Sequence, residues 1–204
     1  MLSLRLKTIA SLIKKDATVL DIGTDHAYLP IFLQKNNLCK RVIASDVSKN
    51  ALSNAQRNID KYHADIKLYL SDGLEEINDD YDTITISGMG TLTIINILKD
   101  KDLPNNIIIS SNNNLYELRV FMNKIGYKIE DEKTIKDMGK YYDIIAYKKG
   151  CEKLSDTVLR FGKSNNKEYY QYLYNKELEI YNNLSLKNKL KKRKNLSILK
   201  KLAN

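Results

Sequence analysis

Apolar positions along the chain follow two alternating rhythms. Residues 2–14 place Leu2, Leu6, Ile9 and Ile13 near the 3.6-residue period, with Ala10 and Leu12 widening the stripe, and predict an amphipathic helix. Residues 17–23, ATVLDIG, are an apolar run ending in a glycine and predict a buried strand. A helix over 27–37 follows, with Pro30 tolerated in its first turn. The alternation continues with a strand over 41–47, a helix over 48–62 capped by Ser48, and strands over 66–73 and 81–90. A helix over 92–100, a strand over 106–112 and a helix over 114–126 come next, the last closed by Gly126. Residues 127–137 and 141–150 predict a strand pair around Met138-Gly139-Lys140. Unbroken Ile, Val and Leu runs mark strands covered on both faces. The pattern therefore predicts an α/β fold, a Rossmann-like doubly wound sheet with an antiparallel strand near its end.

Beyond Gly150 the rhythm becomes purely helical. Tyr169, Leu173, Ile180 and Leu184 form one stripe, flanked by Tyr172 and Leu178; Leu186, Leu190, Leu196, Leu199 and Leu202 form a second. A polar turn between them predicts an antiparallel helical hairpin of coiled-coil type. Charge separates the same two parts. Residues 1–152 hold 21 Lys/Arg and 21 Asp/Glu, whereas residues 153–204 hold 13 and 4, so the tail carries the whole net charge of +9. We therefore expect a sheet domain over 1–152 and a basic hairpin over 153–204. A charge run is most often a solvated face, but a basic appendage on a neutral body also suits a polyanionic partner.

No apolar run is long enough for a transmembrane helix, and the amino terminus lacks the features of a secretory signal. Cys39 and Cys151 are isolated, and with only His26 and His63 beside them zinc-ligand spacing is absent. The expectation is a cytoplasmic protein with no metal and no membrane partner, acting as a monomer.

In a doubly wound sheet, ligands bind beyond the carboxyl ends of the strands. Four such ends carry polar or glycine residues here: DIGTDH, ASDVS, SDGLEEI and SGMGT. Gly23 allows close backbone approach, but a dinucleotide fingerprint would need glycine at Asp25 and Gly or Ala at Tyr28. Asp25 would also repel a pyrophosphate, so NAD and FAD are disfavoured. S-adenosyl-L-methionine carries a positive sulfur and no phosphate, and tolerates Asp21 and Asp25 as neighbours. Thr24 and His26 complete this turn, His26 being read as an orienting or helix-capping residue. Asp46, with Val47 beside it, lies about 20 residues beyond the glycine turn, where an acid accepts from both ribose hydroxyls. Asp72 can accept from an adenine amino group, or Asp72-Gly73 can be an ordinary turn. Ser87, Gly88, Met89 and Gly90 sit where donor and acceptor would meet, with Met89 readable either as a base contact or as core.

LSLRLKTIASLI, DIGTDHAYLP, DGLEEI, ITISGMGTLTIINIL and GKYYDIIAYKKG occur in that order, and together they resemble the TrmK family over essentially the whole chain. These are bacterial tRNA adenine-22 N1-methyltransferases using S-adenosyl-L-methionine. Thr91 stands where the family has a glycine, and Ser110-Ser111-Asn112 stands where it has Gln-Pro-Asn, matching only at Asn112. The resemblance implies methyl transfer to adenine N1, with tRNA as partner. It makes Asp25 the candidate catalytic carboxylate, assisted by Arg5 on the amino-terminal helix. Asp21, Gly23, Thr24, His26, Asp46, Val47, Asp72, Gly73, Ser87, Gly88 and Met89 would hold the cofactor. Gly90, Asn112, Lys191, Lys192 and Arg193 would contact the substrate, the last three within KNKLKKRKN. A small-molecule methyltransferase of the same fold and a non-catalytic RNA-binding module are the rival readings.

Overall fold

The computed structural model describes residues 2–204, without the side chains of Leu186, Lys187, Leu190 and Lys191. The expected hairpin stripe positions Leu186 and Leu190, and the expected RNA contact Lys191, therefore lie outside the described side chains. The elements are α1 (Leu4–Ala10), β1 (Thr18–Ile22), α2 (Tyr28–Lys35), β2 (Arg41–Asp46), α3 (Lys49–Tyr62), β3 (Lys67–Leu70), β4 (Thr83–Ser87) and α4 (Thr91–Leu98). There follow β5 (Asn106–Ser110), α5 (Leu115–Lys124), β6 (Tyr127–Asp137), β7 (Lys140–Lys149), α6 (Asp156–Phe161), α7 (Lys167–Asn182) and α8 (Leu186–Ala203).

Among the described residues the strands form one sheet in the order β3-β2-β1-β4-β5-β7-β6. Strands β1 to β5 run parallel, while β7 is antiparallel to both β5 and β6. The chain crosses from one half of the sheet to the other between β1 and β4, which opens a crevice at their carboxyl ends. Unbroken apolar strands arise because both sheet faces are covered. Val19, Ile108 and Ile144 pack with Ile9 of α1, Leu33 of α2 and Ile59 of α3. Their neighbours Leu20, Ile107, Ile109 and Ile145 pack on the opposite face with Ile94 and Leu98 of α4 and Leu118 and Met122 of α5. Each strand thus sends alternate side chains into two cores.

Local chemistry sets the ends. Ser3 caps α1 by accepting from the Leu6 amide, so the helix begins after Leu2, and it ends at Ala10, before Leu12 and Ile13 of the apolar stripe. Ser48 caps α3 in the same way, through the Ala51 amide. Strands β6 and β7 close through Met138 and Gly139, both at positive φ, as a tight two-residue hairpin demands.

The compact units divide at Gly162/Lys163, beyond the 152/153 division read from charge. The short helix α6 accounts for the difference: it packs on α5, and Arg119 of α5, itself buried, donates through Nη1 to the Leu159 carbonyl at 3.3 Å. Arg119 also pairs with Glu132 of β6 in a fully buried ion pair. Its guanidinium is held above its usual range; burial alone would lower it, and the adjacent Glu132 carboxylate outweighs that effect. The second unit is the helical hairpin of α7 and α8, which pack together. Within it Tyr170 donates to the Ser164 carbonyl at 2.7 Å, and Lys192 pairs with Glu177 at 2.7 Å. Among the described residues no helix is long and apolar enough to cross a membrane.

Candidate active site

The turn from β1 into α2 is the most distorted stretch of backbone in the crevice. Gly23, Asp25 and Ala27 have φ of 74°, 47° and 53°. The amides of Gly23 and Thr24 both donate to the Ser45 carbonyl, at 2.8 and 3.0 Å, which ties the turn to β2. A Cβ on Gly23 would lie 2.1 Å from the Met89 methyl, so this position admits only glycine while Met89 stays in place. Helix α2 has no side-chain cap. His26 therefore does not cap it, contrary to the capping alternative read for it from the sequence, and neither does Asp25. Instead the Asp25 carboxylate projects outward, about two-thirds exposed, with His26 Nε2 3.4 Å away.

Asp21, one turn earlier, is buried and accepts from the Thr85 hydroxyl at 2.7 Å. Burial pushes its carboxyl up to about 6, the hydrogen bond from Thr85 restrains the rise, and the Asp46 charge adds to it. Asp46 stands at the end of β2 and accepts from the Asp25 amide at 3.2 Å through one oxygen and from the Ser48 amide at 2.9 Å through the other. Both contacts fix the carboxylate and leave lone pairs facing the crevice.

Two cavities meet at Gly23, Asp46 and Met89. The first, of about 350 Å³, lies toward β3 and is walled by Ile22, Met89 and Ile97, with Asp46 and Asp72 at its polar edge. Val47 and Gly73 also line it, although Val47 is mostly exposed. Gly73 packs against Ile97 so closely that a Cβ would come within 3.1 Å of it. The second cavity, of about 370 Å³, contains Asp21, Thr24, Asp25, His26, Ser87 and Gly88, with Arg5 of α1 above them. Volumes of this order suit a nucleoside-sized ligand. Met89 thus forms the partition between two cavities.

A third cavity, of about 480 Å³, adjoins the second through Arg5 and Gly88 and extends to Asn112 and the β6–β7 hairpin. Asn112 Nδ2 donates to the Gly88 carbonyl at 2.7 Å. Gly90 lies on none of these three walls; it begins α4 beneath Asn113, whose amide group is 3.5 Å from the position of a Cβ there. Thr91, the departure from the family glycine, is buried and bonded to Ser111 and to the Asn113 carbonyl. Its partner Ser111 is one of the two other departures, so the paired changes make a local network. The sequence reading missed Lys140, Tyr141 and Tyr142 on the third cavity because nothing in the hairpin itself signals that its tip folds back toward α1. In the hairpin unit, Arg193 is exposed, whereas Lys192 is engaged by Glu177.

Sheet order, glycine turn and acid-lined crevice define a Rossmann-like nucleoside-binding fold of the methyltransferase type. The family described as Methyltransferase domain matches residues 2–145. TrmK of M. capricolum, solved with S-adenosyl-homocysteine, superposes with a TM-score of 0.87 at 32% identity, covering 100% of this chain and 98% of that one. A Streptococcus pneumoniae structure in complex with S-adenosyl-L-methionine gives 0.90 at 29% identity, with both chains covered in full. The tRNA (adenine(22)-N(1))-methyltransferase of Bacillus subtilis is 34% identical over 156 residues, 73% of this chain and 66% of that protein. The chain belongs to the TrmK family.

Proposed function

We propose that this protein is an S-adenosyl-L-methionine-dependent tRNA methyltransferase that places a methyl group on N1 of adenine 22, working in the cytoplasm. The observation that carries the reading is the crevice at the β1/β4 crossing, where Asp21, Asp25 and Asp46 surround a glycine floor. Such a site suits a cationic nucleoside and opposes a pyrophosphate. The residues fit the donor. Asp46 is oriented by two amides to accept from a ribose diol, Asp72 can accept from an adenine amino group, and Ile97 and Met89 offer apolar faces to a purine. When bound, S-adenosyl-L-methionine supplies an electrophilic methyl group.

Adenine N1 has an in-plane lone pair, so catalysis requires alignment and stabilisation of the positive charge that gathers on the base. The outward carboxylate of Asp25 supplies that stabilisation, and His26 beside it restrains its orientation. N1 lies on the Watson–Crick edge, so the target base must be unpaired or drawn out of its stack. The basic hairpin, through Lys191, Lys192 and Arg193, would hold the tRNA backbone.

The test is incubation of the purified protein with labelled donor and unmodified tRNA, followed by mapping of the modified position. Label at adenine 22, blocking reverse transcription there, is the expected result. Absence of incorporation, or label at another nucleotide, overturns the proposal.

A further inference from the structure

The third cavity differs in charge from the crevice beside it. Its walls carry Arg5, Lys140, Tyr141, Tyr142, Ser111 and Asn112. Among the described residues neither the Arg5 guanidinium nor the Lys140 ammonium is paired with a carboxylate. The guanidinium lies 4.9 Å from the centre of the Tyr142 ring, and Arg5 Nη2 would be 3.9 Å from a Cβ on Gly88. The Arg5 amide donates to Asp137 Oδ2 at 3.1 Å, which joins α1 to the tip of the hairpin. Arg5 is therefore placed by three elements at the border between the acidic crevice and this basic one.

Two unpaired cations are poor neighbours for a base that becomes cationic on methylation. They are good neighbours for the phosphodiester attached to that base, because a guanidinium and an ammonium both donate to phosphate oxygens. We propose that this cavity is a phosphate subsite. Arg5 and Lys140 hold a backbone phosphate adjacent to the target nucleotide, while the base itself turns toward Asp25. Tyr142 is a positioning residue that keeps the guanidinium in place through its ring face. The inference rests on the proposed tRNA reading and assigns Arg5 to the substrate backbone.

The test uses the full chain and tRNAs bearing a single neutral methylphosphonate linkage on either side of nucleotide 22. Equilibrium tRNA binding is measured, with methyl transfer followed in parallel. For the unaltered protein, one of the two linkages should weaken binding about tenfold. In Lys140→Ala and Arg5→Gln, each already weakened toward native tRNA, the same linkage should cost less than twofold. Tyr142→Phe should bind as the unaltered protein does, whereas Tyr142→Leu should resemble Arg5→Gln and add nothing to it. Circular dichroism and thermal melting check that the variants remain folded. The inference is overturned if neither linkage matters, or if the linkage penalty persists undiminished in both charge variants. It is equally overturned if an abasic nucleotide 22, and no linkage, cancels the effect of Lys140→Ala. Failure of the unaltered protein to methylate adenine 22 would instead sink the parent reading, since binding is read separately.

Discussion

Gly23→Ala is the substitution whose consequences the structure specifies most fully. Two costs arise. Alanine at φ 74° incurs left-handed backbone strain of about 1–2 kcal/mol. Its Cβ also arrives 2.1 Å from the Met89 methyl, which must leave. The methyl is the far end of a flexible side chain, so moving it is inexpensive for the fold. It is not harmless for the site, because Met89 stands between the two cavities and retreats into one or the other. Stability should fall by about 1–2 kcal/mol, lowering Tm by roughly 2–4 °C per kcal/mol in a chain of this size. Affinity for S-adenosyl-L-methionine should fall at least tenfold, which is about 1.4 kcal/mol. Calorimetric titration measures the second effect and thermal melting the first. Adding Met89→Ala removes the clash and leaves the strain. The double variant should therefore regain cofactor affinity to within about threefold of Met89→Ala alone, while its melting temperature stays low. If Gly23→Ala binds cofactor as tightly as the unaltered protein, or if the double variant binds no better than Gly23→Ala, the partition argument is wrong.

Asp25→Ala should leave cofactor affinity within about threefold and lower the methylation rate constant by about 10²–10³, as removal of one aligned electrostatic partner does; unchanged turnover in a single-turnover assay would remove Asp25 from the mechanism. Asp21 holds its proton more tightly folded than unfolded, with a carboxyl raised from 3.8 to about 6. Its contribution to stability is therefore complete below about pH 4 and lost as pH rises through 6, by up to about 3 kcal/mol. Asp21→Asn escapes this loss, so melts of the cofactor-free proteins should show the variant gaining on the unaltered chain between pH 4 and 7; a gap independent of pH would refute the assignment. Gly162→Ala would place a Cβ 2.4 Å from Glu132 and 2.7 Å from Arg119 at φ 79°, and the buried pair has no room to yield. About 2–4 kcal/mol of destabilisation should appear in urea unfolding, from strain and overpacking together. Replacing Lys191, Lys192 and Arg193 by glutamine should raise the tRNA KM and lower the slope of log affinity against log salt by about one for each phosphate no longer neutralised. With Lys192 already bonded to Glu177, Arg193 should account for more of that effect than Lys192.

The sheet was legible because two physical periods alternate along the chain and glycine or a capping serine punctuates them. Val19 and Leu20 look equivalent in an apolar run, and the structure sends them to opposite cores. The acid after β2 was legible for the same reason, since its distance from the glycine turn follows from the length of a strand–helix–strand unit. Helix α6 was not legible. It is short, and its partner is the buried Arg119–Glu132 pair, which no local pattern announces. The third cavity was hidden for a related reason. Arg5 and Tyr142 lie at opposite ends of the sheet domain's sequence and meet only because β7 inserts beside β5 and brings the hairpin to α1.

The turn after β1 also shows why Asp25 and His26 stand where a strand gives way to a helix. Asp25 and Ala27 are not glycines, yet both adopt left-handed backbone, which an aspartate tolerates and which costs an alanine about 1–2 kcal/mol. Ordinary turn chemistry would put glycine or asparagine at Ala27. The strain is retained because the surroundings over-determine it. The Asp25 amide is held by Asp46, the two preceding amides by the Ser45 carbonyl, and Ala27 is completely buried. The result is a carboxylate turned away from the helix it precedes and toward the crevice. A turn built only to connect β1 to α2 would have used that acid as a cap. On the proposed reading, the turn keeps this geometry because it aims the Asp25 charge at the ligand instead of at the helix.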